Sequence, residues 1–240
     1  MSHIHRLLLS LLLFAPVAQG APRETVVLLH GLNRTRRAMS RMADSLRAEN
    51  YAVINVSYPS RSADIHTLST NIFAALIPLT AEAPKVHFVT HSMGGIILRS
   101  YLQDHAVTNL GRVVMLAPPS HGSEVVDRLG RLPAFRWING PAGRQLGTDT
   151  NSLPSQLPAP DFELGIIAGD RSVNPLLSLL IPGRDDGKVS VARTRVESMR
   201  DFIRLHVTHP FMMRNRHVIR QTQLFLRCGR FEKAAGSMDT

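Results

Sequence analysis

Cys228 is the only cysteine in the 240 residues, so no intramolecular disulfide can form and stability has to come from packing. Its thiol lies late in a helix-like stretch beside Gly229, with no small-residue turn around it, and reads as structural. Long apolar runs are almost as scarce. Leu7 to Ala18, broken only by Ser10 and Pro16, falls short of the roughly 20 residues that cross a bilayer, and no second run of that length follows. Motifs for bound metal or nucleotide are missing too: there is no H-E-x-x-H, no G-x-x-x-x-G-K-[ST] and no G-x-G-x-x-G. His206 and His209 lack a nearby third ligand, so neither a metal nor another cofactor is expected. Acidic residues are the minority charge, 18 against 28 Lys and Arg, for a net charge of +10. Aromatic residues make up only 5% and do not interleave with the basic ones, which argues against nucleic acid as a partner. The arginines scatter, from Arg34, Arg36, Arg37 and Arg41 to Arg214, Arg216 and Arg220, as a solvated surface or one drawn to an anionic membrane. No internal repeat is evident, and nothing here sets an oligomeric state.

What is present begins with a leader. Arg6 precedes the apolar stretch, and the small residues Ala18-Gln19-Gly20-Ala21 follow it, which is the layout of a signal peptide over residues 1–20 cut after Gly20. The chain is therefore expected to be exported, to the periplasm or outside the cell, with residues 21–240 as one domain; an uncleaved anchor is the other reading. A hydrophobic share of 44% and a charged share of 19% are those of a globular protein rather than a disordered or coiled-coil one.

After the leader, short β-branched apolar runs alternate with stretches of helical spacing, the signature of βαβ units around a parallel sheet. Six strands are expected: Thr25 to Leu29, Tyr51 to Ser57, Lys85 to Thr90, Arg112 to Leu116, Glu163 to Ala168 and Phe202 to Val207. Met39, Met42, Ala43 and Leu46 share one helix face, as do Ile65, Leu68, Ile72 and Leu76, and later Ile97, Tyr101 and Leu102. These are core faces that cover the sheet. Residues 118–161 break the pattern, being rich in Pro and Gly. They follow a strand on the side where such sheets place their ligand crevice, so they form either a cap over an apolar cleft, with Phe135, Trp137 and Ile138 as contacts, or a long surface excursion with a small satellite core.

Thr90-His91-Ser92-Met93-Gly94-Gly95 joins the third strand to a helix. A serine at so tight a turn is forced into strained backbone geometry that lifts its hydroxyl off the sheet, and small neighbours make the turn sterically possible. Thr90 stands where G-x-S-x-G has its first glycine. An unassisted hydroxyl is a weak nucleophile, which directs attention to a histidine and an acid downstream. Asp185-Asp186-Gly187 follows the fifth strand and His206-Val207-Thr208-His209-Pro210 follows the sixth; Asp170 ends a strand as well. Asp185, Asp186 and Asp170 thus compete for the acid, and His206 competes with His209.

Four pieces in order, His30-Gly31-Leu32, Thr90 to Gly95, Asp186-Gly187-Lys188-Val189 and His209-Pro210-Phe211-Met212-Met213, make the sequence resemble serine lipases and esterases of the α/β-hydrolase superfamily from the bacterial envelope. The resemblance spans most of the chain. It implies a doubly wound, mostly parallel α/β sheet of about six strands with a cap-like insertion, and an enzyme that cleaves carboxylic esters, lipid esters foremost. It further implies Ser92 as nucleophile, His209 as base and Asp186 as the acid that orients it, the Asp-Gly pattern favouring Asp186 over Asp185. Backbone N–H groups of Leu32 and Met93 would form the oxyanion hole. His91 is then a packing or supporting residue and His30 a prop for the oxyanion loop. The same intermediate would serve a thioesterase or an acyltransferase. A non-catalytic envelope module that binds lipid is the reading from a different class.

Overall fold

Six β-branched runs form six parallel strands in the computed structural model, which describes residues 22–233: β1 (Thr25–Leu29), β2 (Ala52–Asn55), β3 (Val86–His91), β4 (Leu110–Leu116), β5 (Leu164–Gly169) and β6 (Asp201–Leu205). The expected leader, residues 1–20, lies outside the described residues. Among these, no helix is long and apolar enough to cross a membrane. The sheet order is β2-β1-β3-β4-β5-β6. β1 pairs with β2 from Thr25↔Ala52 to Leu28↔Asn55, and on its other edge with β3 from Thr25↔Val86 to Leu29↔Thr90. The chain therefore leaves β1 in one direction and returns on its far side, which opens a crevice at the carboxyl ends of β1 and β3. His30 and Ser92 are the residues that follow or closely follow those two ends.

Helices cover both faces, so the central strands are buried on both sides and read as continuous apolar runs. One face holds α1 (Ser40–Ala48) and α9 (Arg216–Cys228), with Met39, Met42, Leu46, Val218 and Phe225 against Val26, Leu28 and Ile167. The other holds α2 (Ile65–Thr80) and α3 (Met93–Leu102), with Ile65, Leu68, Ile72, Phe73 and Ile97 against Val27, Leu29 and Phe88. Both helix faces read from the spacing of α1 and α2 are the buried ones. α3 differs from the single-face expectation, because Met93 to Ser100 are all buried. The excursion lies over its outer side and Arg99 is tied to it, so solvent reaches only the last turn.

Residues 118–161 hold more helix than their composition promises: α4 (Glu124–Leu129), α5 (Pro133–Arg144) and α6 (Leu153–Gln156). Pro133 and Pro154 stand in the first turn of their helices, where a missing N–H costs nothing. α5 breaks at Gly140, whose φ of 64° is costly for other residues and whose Cβ, if present, would lie 2.2 Å from the Arg61 carbonyl. Two four-residue helices, α7 (Pro175–Ser178) and α8 (Val191–Thr194), bracket the loop that carries Asp185 and Asp186.

α9 begins with Asn215, whose side chain accepts from the N–H groups of His217 and Val218, and ends at Gly229 with φ 70°. Its Phe225 is fully buried against the sheet at Gly165, where a Cβ would come within 2.6 Å of the ring. Phe225→Ala should therefore cost about 3–5 kcal/mol. Urea unfolding followed by circular dichroism measures this, and a loss under about 1 kcal/mol would mean that the aromatic seat on β5 matters little.

Candidate active site

Ser92 occupies the turn between β3 and α3 with φ 53° and ψ −126°, a strained conformation for a residue with a Cβ. Its N–H donates to the Leu116 carbonyl at 2.8 Å, and its carbonyl accepts from Gly95 N–H at 2.9 Å, so the turn is pinned on both sides. Gly94 explains why it can be so tight: a Cβ there would sit 2.7 and 2.8 Å from the carbonyl oxygens of Leu29 and His30. α3 can press onto β1 only without that atom. Thr90 is accommodated by Gly95, whose Cβ would lie 3.2 Å from Thr90 Oγ1. The bulk absent at position 95 is the space that the threonine fills.

Asp186 is 1% exposed, and its Oδ2 lies 2.7 Å from His209 Nδ1. The other carboxylate oxygen accepts from the N–H groups of Lys188 and Val189, both at 3.0 Å, and the Asp186 carbonyl accepts from His209 N–H at 3.0 Å. The loop is a tight reversal, with Asp185 and Ser190 bridged and Gly187 at φ 95°, which is why glycine follows the acid. Gly169, at the end of β5, has no room for a Cβ beside Val207 O at 2.5 Å and Asp186 Cβ at 2.9 Å. It lets the loops after β5 and β6 converge, a role its place in the sequence did not reveal.

The competing residues lie elsewhere. Asp185 accepts from Ser178 Oγ at 2.8 Å and Gly187 N–H at 2.7 Å, which shapes the turn. Asp170 and His206 pair with each other at 2.9 Å, and Asp170 also meets Arg204 at 3.3 Å and Arg184 at 3.6 Å. His206 is largely exposed.

Ser92 and His209 line one cavity of about 350 Å³, with Leu32 and His91 beside them. No hydrogen bond joins the Ser92 hydroxyl to His209; such contacts commonly close only around bound substrate. With Nδ1 engaged by Asp186, Nε2 is the ring nitrogen free to exchange a proton. The N–H groups of Leu32 and Met93 donate to no group among the described residues. Met93 N–H also opens α3, where the helix dipole favours negative charge. The excursion supplies Val125, Val126, Phe135 and Leu146 as apolar wall.

The contacts that hold the Leu32 loop leave no local signature in the sequence, His30 apart. His30 Nδ1 donates to Gly31 O at 2.9 Å and its ring stacks on Tyr58 at 4.0 Å, while the Tyr58 hydroxyl donates to His30 O. Burial lowers the His30 pKa and raises that of Tyr58, so both stay neutral. Asn33, at φ 57°, is held by Ser60 Oγ at 3.1 Å and by Asn139 of α5 at 2.9 Å. His91, in the expected supporting place, donates from Nε2 to the His209 carbonyl at 3.0 Å. Burial, and secondarily the neighbouring His209, hold its pKa well below the usual 6.5.

A family model described as the alpha/beta hydrolase family matches residues 26–227. The chain belongs to the alpha/beta hydrolase family. Among solved structures of this fold, the mature form of Bacillus licheniformis lipase BlEst2 superposes with a TM-score of 0.66 at 20% identity, over 87% of this chain and 93% of that one. Phospholipase PlaB from Legionella pneumophila superposes with a TM-score of 0.63 at 18% identity, over 87% of this chain and 60% of its own. No curated protein matches the sequence of this alpha/beta hydrolase. The expected doubly wound parallel sheet is the one observed. Among the described residues, no cluster of three or more His, Cys, Asp or Glu side chains is placed to hold a metal.

Three buried histidines should make the fold of this hydrolase sensitive to acid. His91, His30 and His87 are all buried with lowered pKa values, each mainly through desolvation. Below about pH 6.5 the unfolded chain takes up protons that the folded one refuses, so stability falls as pH falls, by up to about 1.4 kcal/mol per pH unit for each histidine that stays neutral. The urea midpoint should drop between pH 7.5 and 5.5, and His87→Gln should flatten the drop. An unchanged midpoint over that range would contradict the assignment.

Proposed function

We propose that the protein is a serine hydrolase of carboxylic esters, acting on lipid-like esters through an acyl-enzyme. The observation that carries this reading is the buried Asp186–His209 hydrogen bond at 2.7 Å opening onto the cavity that holds the strained Ser92. His209 Nε2 takes the Ser92 proton as Oγ bonds to the acyl carbon, and the carbonyl oxygen becomes an oxyanion facing the N–H groups of Leu32 and Met93. Each such donor contributes on the order of 3 kcal/mol to the transition state. As the tetrahedral intermediate collapses, the bond from the acyl carbon to the alcohol oxygen breaks and His209 returns the proton to that oxygen. Water then loses a proton to His209, attacks the acyl carbon and releases the acid, and Ser92 regains its proton. Asp186 stabilises the charged imidazole throughout.

A cavity of about 350 Å³ stands at the low end of ligand-site volumes, which favours a single acyl chain of short or medium length. Exposed Trp137, Leu176, Leu179 and Phe211 lie on segments that follow the carboxyl ends of strands, and support working contact with a lipid surface. The leader-like amino end adds that the enzyme acts after export. BlEst2, titled a lipase, and PlaB, titled a phospholipase, share the fold and agree with this reading.

A fluorophosphonate probe should label the protein once, and Ser92→Ala should abolish the label. Asp186→Asn should lower kcat on a p-nitrophenyl ester by ~10⁴-fold with circular dichroism unchanged, while Asp170→Asn retains most activity. Retention of activity in Asp186→Asn with collapse in Asp170→Asn would reverse the choice of acid. Absence of labelling altogether would leave a binding module in place of the enzyme.

A further inference from the structure

The cavity wall contains two cations, Arg34 and Lys188, and no Asp or Glu. Neither side chain forms an ion pair among the described residues. Both cations stand on fixed backbone. Arg34 N–H donates to Gly31 O at 3.2 Å, so its residue closes the turn that presents Leu32. Lys188 N–H donates to Asp186 Oδ1 at 3.0 Å and its carbonyl accepts from Ser123 Oγ at 2.6 Å, pinning it between the acid loop and the excursion.

The two are close enough to repel. Lost hydration lowers the Lys188 pKa first and the positive Arg34 lowers it further, while Asp186 opposes the shift. Asp186 compensates in part, yet its oxygens are taken by His209 and two backbone N–H groups. Two positive charges on one cavity wall with no counter-ion there favour an anion that enters between them. A guanidinium offers a planar fork to carboxylate or phosphate oxygens and an ammonium offers a point charge.

We propose that Arg34 and Lys188 together bind a negatively charged group of the substrate, so that the preferred ester carries a phosphate or carboxylate near its scissile bond. This rests on the ester-hydrolase reading above and narrows it to anionic esters. The shared chemistry is an oxyanion. A phosphate would come from a single-chain acylglycerol phosphate and a carboxylate from an acylated hydroxy acid.

The test compares three octanoyl esters: 1-octanoylglycerol, 1-octanoylglycerol 3-phosphate and O-octanoyl glycolate. Wild type, Arg34→Gln, Lys188→Gln and the double variant are assayed at low and high salt. At least one anionic ester should exceed the neutral one in kcat/KM by tenfold or more. Each single substitution should lower that ratio by on the order of tenfold, the effect of one charge-assisted hydrogen bond. The double variant should bring the ratio near unity, Lys188→Arg should keep most of it, and salt should shrink it in wild type. Which anionic ester leads decides between phosphate and carboxylate. Turnover of the neutral ester equal to that of both anionic ones would overturn the proposal, as would an anionic preference untouched by the variants. So would a parallel loss on all three esters. No turnover of any ester and no fluorophosphonate label on Ser92 would instead defeat the hydrolase reading, and this inference with it.

Discussion

Everything around Ser92 depends on how closely α3 approaches β1. A methyl group at position 94 would collide with the carbonyl oxygens of Leu29 and His30, and backbone oxygens at 2.7 and 2.8 Å cannot step aside as a flexible side chain can. That contact fixes the start of α3, and with it the strained φ of Ser92 and the direction of Met93 N–H. Gly31 completes the fit from the other side, since a Cβ there would meet Ser92 Cβ at 3.0 Å and His91 Nδ1 at 2.9 Å. Strain of this kind persists only where surrounding structure over-determines it. Here the strand register, the Ser92–Leu116 hydrogen bond and two glycines do so together.

The excursion after β4 is bound to this centre from two directions. At its ends, the buried Arg99 of α3 donates to the carbonyls of Ser120, Leu157 and Pro158, at 3.4, 3.2 and 3.0 Å. Burial without a carboxylate partner lowers its pKa to about 10, and the three carbonyl dipoles take the place of a counter-ion. In its middle, Asn139 holds Asn33 while its own amide donates to Phe135 O at 2.9 Å. One residue thus joins the apolar wall of the cavity to the loop bearing Leu32. A shift of α5 would therefore disturb both the wall and the contact that holds the Leu32 loop.

Strand positions were legible because parallel strands buried on both faces are written as continuous β-branched runs: Val26-Val27-Leu28-Leu29 and Val113-Val114-Met115-Leu116 have no other use for that composition. The turn at Ser92 was legible through its glycines, and the loop at Asp186 through the glycine its φ demands. Less visible were the long-range polar contacts. Nothing local links Asn33 to Asn139 across 106 residues, or Arg99 to Leu157 across 58, since such pairings are set by tertiary approach. The excursion misled for a related reason. Proline breaks a helix interior but starts a helix well, and composition alone does not say which position Pro133 or Pro154 takes.

Two aspartate–histidine pairs place their histidines three residues apart in the segment after β6, and burial is what separates them. Asp170 and His206 meet at 2.9 Å, but the histidine is 74% exposed and the carboxylate is shared with Arg204 and Arg184. Water and two guanidiniums screen that pair, so the carboxylate does little to bias the imidazole. Asp186 and His209 meet at 2.7 Å with side chains 1% and 9% exposed, in a medium that screens far less. There the carboxylate can both hold the tautomer and stabilise a positive ring. The strand's length makes the difference: β6 ends at Leu205, leaving His206 at the solvent-facing rim, and the next three residues turn inward until His209 reaches the cavity. Equivalent chemistry in the two side-chain pairs is thus given unequal capacity by where the sheet stops.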